Sequence, residues 1–153
     1  MANIVFNIAK GRAIELHDRV ESNDPSTSAL ILIPIETSGL EADSVLIDAD
    51  TVAAVLAGAT NEQTTMGRKT LTDTELASIP APVDASDYNE RSLPTTVWTG
   101  ATGNPISKIL VAYDPNSGSG TDSDLIPMTM FDFAQTPSGA DIQMTGGAYI
   151  RAN

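Results

Sequence analysis

The sequence predicts a mainly β protein, an antiparallel sandwich or barrel with one short helix and long loops. Three observations carry that expectation. The C-terminal third breaks into β-prone runs at residues 95–98, 106–113, 128–133, 141–144 and 148–151, separated by turn-rich pieces at 100–105, 114–124 and 137–139. Short strands punctuated in this way characterise antiparallel sandwiches and barrels. Residues 28–35 (Ser-Ala-Leu-Ile-Leu-Ile-Pro-Ile) are apolar on both alternating faces, which places them in the middle of the fold, buried on both sides. A clear helical stripe occurs only over residues 50–56, where Val52, Val55 and Leu56 share one face.

The remaining elements follow in chain order. Residues 3–8 read as a strand through Val5 and Phe6, and Lys10-Gly11 ends it. Residues 12–20 fit two periods. Ile14 and Leu16 alternate as in a strand, while Ile14, His17 and Val20 have helical spacing; the strand is the reading adopted. Asn23-Asp24-Pro25 is a turn signal. Pro34 cannot donate a ladder hydrogen bond, so it marks an edge or a bulge near the end of its strand. Residues 44–47 read as a further short strand. Asp48 or Asp50 is suited to cap the helix at 50–56, and Gly58 suits the left-handed position after it. Residues 68–71 read as a strand and 73–79 as a helical turn before Pro80. The Pro-rich, acidic stretch 80–94 reads as a long surface loop. The whole chain, 1–153, is expected to form one β-rich domain, with residues 1–20 as an arm or edge strand.

Composition narrows the function. At 153 residues, 41% hydrophobic and 18% charged, the chain can build one core without staples. It has no cysteine, which removes disulfides, thiolate catalysis and Cys-based zinc sites. Twenty acids face eight bases, a net charge of −12, and such a surface repels nucleic acid and anionic membranes. Neither is an expected partner. The first 20 residues are the least acidic part, with three bases (Lys10, Arg12, Arg19) against two acids (Glu15, Asp18). No run is long enough to span a membrane, and the start lacks the pattern of a signal peptide, so synthesis in the cytoplasm is expected.

The sequence carries no specific catalytic motif. The single histidine, His17, would need a nucleophile brought to it by the fold, and no G-x-S-x-G elbow is present. Gly67-Arg-Lys-Thr70 lacks the leading glycine of a phosphate-binding loop, and Arg68 separates Gly67 from Lys69. In the 114–124 loop, Asp114, Asn116, Asp122 and Asp124 offer oxygen ligands to calcium. An EF-hand fails, however, because Ser119 and Leu125 stand where Gly and Glu are required. The plainer reading is a Gly/Ser loop made soluble by its acids. Asp48 and Asp50 are a cap and a helix-dipole partner more simply than an acid/base pair. No cofactor, metal or catalytic residue is expected.

Several blocks carry a resemblance. Ala2-Asn-Ile-Val-Phe-Asn-Ile-Ala-Lys-Gly-Arg12 and Ser22-Asn-Asp-Pro-Ser-Thr-Ser-Ala-Leu30 resemble small virion proteins of tailed bacteriophages. So do Lys108-Ile-Leu-Val-Ala-Tyr-Asp114, Asp124-Leu-Ile-Pro-Met-Thr129 and Ala148-Tyr-Ile-Arg-Ala-Asn153. Head cement or decoration proteins are the nearest likeness. The resemblance implies a jelly-roll-like sandwich attached to the capsid exterior, bridging neighbouring major capsid subunits, as a homodimer ahead of a trimer. From the charge distribution, Asn3, Val5, Phe6, Lys10, Arg12 and Arg19 are the expected contact residues. Two other readings stand beside it: a tail or head–tail connector protein, and a hydrolase using His17 with an acid.

Overall fold

The computed structural model describes residues 4–76 and 84–152. Its centre is an open antiparallel sheet of five strands in the order β1 (Ile4–Val5), β7 (Ile126–Gln135), β6 (Ile106–Asp114), β2 (Ala29–Glu36) and β3 (Lys69–Leu71). The sheet is not closed on itself, so the architecture is sandwich-like and not a barrel. Alternation along β2 and β6 sorts their side chains onto two faces. Leu30, Leu32, Ile109, Val111 and Tyr113 join one buried cluster, and Ile31, Ile33, Ile35, Leu110 and Ala112 join the other. Both faces are covered, as the uninterrupted apolar run at 28–35 predicts.

The first face is covered by a second, smaller β layer. β4 (Asn89–Leu93) pairs with β9 (Gly147–Ala152), and β5 (Thr96–Trp98) pairs with β8 (Ile142–Met144). Only Pro94-Thr95 separates β4 from β5, and only Thr145-Gly146 separates β8 from β9, so the four strands form one bent two-stranded ribbon. At the bend Gly146 N donates to Thr95 Oγ1 at 3.0 Å. A Cβ on Gly146 would lie 2.6 Å from the Leu93 carbonyl oxygen, so only glycine fits that crossing. Leu93, Trp98, Ile142, Met144 and Ile150 point from the ribbon into the shared cluster, and the Trp98 indole N–H donates to Gly67 O at 2.9 Å.

Helix α1 (Ala13–Glu21) packs beside the ribbon. It replaces the strand expected at 12–20. Ala13, Leu16, His17 and Val20 are all buried, a complete i, i+3, i+4, i+7 stripe. The stripe is hidden in the sequence because its third member is the polar His17. The opposite face of the sheet is covered by the N-terminal segment, α2 (Asp43–Leu46) and α3 (Val52–Val55). α2 stands where a strand was expected at 44–47; four residues are too few to separate the two periods. α3 is shorter than the expected 50–56 helix. Its cap is Thr51, whose Oγ1 accepts from Ala54 N at 3.1 Å, and neither Asp48 nor Asp50 plays that part. Gly58 is not left-handed; its place is fixed by Glu41, whose carboxylate lies 2.3 Å from where a Cβ would stand.

Pro34 sits within β2 opposite Ile109, beyond the end of β3, where its carbonyl accepts from Gln63 N at 2.9 Å. No ladder donor is needed on that side, and the expected bulge follows between Ile35 and Glu36. The loop expected at 80–94 is corrected in its second half. Residues 89–93 form β4, and Arg91 and Leu93 are buried. The sequence concealed this because the strand carries only one large apolar residue. Residues 77–83, including the end of the expected 73–79 turn, lie outside the described residues.

Phe6 is fully buried in the second cluster, and its N–H donates to Met128 O at 3.0 Å. The N-terminal segment is thus part of the core and not a free arm. Phe6→Ala is expected to cost about 3–5 kcal/mol of stability, read by urea denaturation. A change under about 1 kcal/mol would show that the segment docks only loosely.

Candidate interaction surface

The first turn of the chain places two bases in solvent. After β1, residues Asn7–Ala9 make one turn of 3-10 helix that buries Ala9. Gly11, at φ +81°, then reverses the backbone into α1. Lys10 and Arg12 flank that glycine and are exposed. Lys10 Nζ donates to Asn7 Oδ1 at 2.6 Å and the same amide donates to Asp48, so the lysine makes no direct ion pair but has a carboxylate one side chain away. Arg12 has no ion pair among the described residues.

Most other bases are spent inside the chain. Arg19 pairs with Glu15 at 2.9 Å, and Arg68 with Glu62 and Asp122 at 2.5 Å each. Arg91 pairs with Asp18, Lys108 sits 3.2 Å from Asp43 and 3.3 Å from Asp132, and Arg151 pairs with Glu90 at 3.1 Å. Lys69 lies over the Trp98 ring, 6.0 Å from its centroid. Among the described residues Lys10, Arg12 and Lys69 are the bases without a carboxylate in direct contact, and the first two adjoin in one turn.

Beside these bases runs a groove between the N-terminal segment and β9, with a volume of about 360 Å³. Val5 and Ile14 line one side, Tyr149, Arg151 and Ala152 the other, and Lys10 stands on its rim. Among the described residues no carboxylate lines it. The adjoining groove on the other side of Ile14 is different in charge, because Glu15, Asp18 and Asp24 line it together with Arg19.

The expected contact residues thus divide. Val5 and Lys10 line the groove, and Arg12 stands exposed next to Gly11 in the same turn. Phe6 is removed from the set because it is buried in the core. Arg19 is exposed, but it is paired with Glu15 and faces the acidic groove. Asn3 lies outside the described residues. Sequence reasoning missed Tyr149, Arg151 and Ala152, which come from the other end of the chain. No local signal announces that β9 lies against the first turn of α1.

A buried polar cluster fixes the groove wall. β9 has one residue more than β4 at this point: Ile150 opposes Arg91 and Ala148 opposes Ser92, leaving Tyr149 unmatched. Such a bulge re-aims a side chain, and here the Tyr149 hydroxyl lies 2.8 Å from His17 Nδ1. Burial holds that phenol well above its usual range, so it stays protonated. With Tyr149 donating to Nδ1, the Nε2–H of His17 faces the Glu21 carboxylate at 4.0 Å. Next to it Arg91, 2% exposed, grips both carboxylate oxygens of Asp18, with Nη2 at 2.8 Å from Oδ2. Burial lowers the His17 pKa to about 4, Asp18 opposing and Arg91 reinforcing the shift. Burial, then the neighbouring Asp18, raises that of Glu21.

The 114–124 loop does not gather its oxygens around a common point. Asp114 Oδ1 accepts from Asn116 N at 2.8 Å, Asp124 Oδ2 accepts from Thr121 N and Oγ1, and Asp122 turns away to Arg68. Among the described residues no three His, Asp or Glu side chains are grouped as a metal site would need. No helix is long and apolar enough to cross a membrane among those residues. Comparison with protein-family models, curated proteins and solved structures finds no match to this chain.

His17 makes the fold acid-sensitive. Its folded pKa of about 4 lies below the unfolded value of 6.5, so the unfolded chain takes up the proton first. The stabilisation is present above pH 6.5 and is lost as pH falls towards 4, at most about 3 kcal/mol from this group. Glu21 acts in the opposite sense, since its protonation relieves a buried charge. His17→Gln is therefore expected to flatten the stability profile between pH 6.5 and 4, measured by denaturation at a series of pH values. An unchanged slope would show that His17 is not the titrating group.

Proposed function

We propose that this chain is a non-enzymatic structural protein of a tailed-phage virion, a cement or decoration protein. It binds the capsid exterior and bridges major capsid subunits, and its copies pair as homodimers. The observation that carries the reading is that Lys10 and Arg12, which make no direct ion pair, stand beside a groove lined by no carboxylate among the described residues, on a chain of net charge −12. That polarity suits an acidic protein surface, and complementary charge speeds and orients docking. The same overall acidity keeps the chain off packaged DNA and anionic membranes. The sequence blocks that resemble small virion proteins supply the setting.

Cementing needs no bond chemistry. A ligand that binds the assembled shell and not free subunits stabilises the shell by mass action. Pairing multiplies the effect, because one lost contact leaves the other holding. The hydrolase alternative loses ground at His17, which is buried with Nδ1 bonded to Tyr149 and Nε2 facing Glu21. A connector role would keep the binding mode but confine copies to one vertex of the particle.

Charge reversal tests the reading. The double variant Lys10→Glu, Arg12→Glu is expected to fold normally and to lose affinity for chain-free particles by about tenfold or more, roughly 1.4 kcal/mol. Arg19→Glu should lose less. Occupancy on particles, quantified by gel densitometry and reconstruction, is the readout. Unchanged binding of the double variant would remove the groove from the account. Copies restricted to one vertex would favour the connector.

A further inference from the structure

β9 is paired on one side only. Among the described residues its partner is β4, and no strand adds to its other edge. That edge looks into the groove. It presents the backbone of six residues, about 20 Å of extended chain, with no neighbouring strand to satisfy its outward N–H and C=O groups. Exposed edges of this kind recruit extended segments. The facing wall is apolar, made of Val5, Ala9, Ala13 and Ile14. Every second side chain of an incoming strand would meet that wall, and the alternate ones would point to solvent.

Charge selects the occupant. Among the described residues the groove is lined by Lys10, which makes no direct ion pair, by Arg151, which Glu90 already holds at 3.1 Å, and by no carboxylate, in a chain where acids outnumber bases 20 to 8. The groove between β3 and β5 contrasts with it, because it is lined by Glu75 as well as Lys69. We propose that the groove takes an extended acidic segment of the shell protein, which adds to β9 as a third strand of the β4–β9 ribbon. The apolar residues of that segment pack on Val5 and Ile14, and its carboxylates meet Lys10 on the rim. Strand addition rests on the cement reading only for the source of the segment.

The test uses the full chain and a blocked octapeptide of alternating Glu and Val. Two controls accompany it: the Lys/Val counterpart, and the Glu/Val peptide N-methylated at every second residue. Backbone amide exchange of residues 147–152 is followed by NMR. The Glu/Val peptide is expected to slow exchange at alternate β9 amides by tenfold or more. The Lys/Val and N-methylated peptides should not, and Lys10→Glu should weaken the effect. No protection of β9, or equal protection by the Lys/Val peptide, overturns the proposal. Protection that grows with chain concentration in the absence of peptide also overturns it, since a second copy then occupies the edge. Exchange measured by mass spectrometry on chain bound to particles separates the two readings. Full occupancy with β9 unprotected rejects strand addition and leaves the cement role standing. Peptide protection in a chain that never occupies particles does the reverse.

Discussion

β2 and β6 are buried on both faces, and the rest of the molecule is arranged around that requirement. Leu30, Leu32, Ile33, Ile35, Ile109, Leu110 and Val111 are each 1% exposed or less. Burying one such side chain fully is worth about 1.5–3 kcal/mol, so the sheet is stable only when both sides are covered. One side takes the bent ribbon and α1. The other takes Phe6, α2 and α3. Neither cover is long or regular enough to stand alone: α2 and α3 have four residues each, and an isolated two-stranded ribbon is marginal in water. The sheet therefore holds its covers as much as they shield it.

Polar groups fix where the covers sit. Lys108 is completely buried at the middle of the sheet, between Asp43 of α2 and Asp132 of β7. The Arg91–Asp18 pair and the Tyr149–His17 bond tie the ribbon to α1 in the same way. Burying such groups gains little over apolar packing, but losing one partner of a buried pair leaves a charge stranded. Their use here is to set register: Arg91 and Tyr149 lie on the two strands of one ribbon, and both reach α1 only when β4 and β9 are paired as observed.

The groove is a by-product of this arrangement. The ribbon is bent at Gly146 and bulged at Tyr149, and β9 lies against the first turn of α1. Internal pairing then decides the sign of the surface. Bases that reach a carboxylate are neutralised, while Lys10 and Arg12, flanking a left-handed glycine, make no direct ion pair among the described residues.

The sequence by itself determined the mainly β character, the central strand buried on both faces, the strands of the C-terminal third and the helix near residue 52. Each of these depends on periodicity or turn residues within a few positions. The same local signals pointed to the first 20 residues as the least acidic stretch, and Lys10 and Arg12 were legible there. Only the tertiary structure decided that residues 13–21 are helical, because the buried stripe includes His17, whose burial depends on Tyr149 lying 132 positions away. It also turned Phe6 inward, made a strand of 89–93, and brought Tyr149, Arg151 and Ala152 to the groove. Those outcomes follow from long-range packing and ion pairing, and no window of neighbouring residues encodes which distant side chain will arrive to complete them.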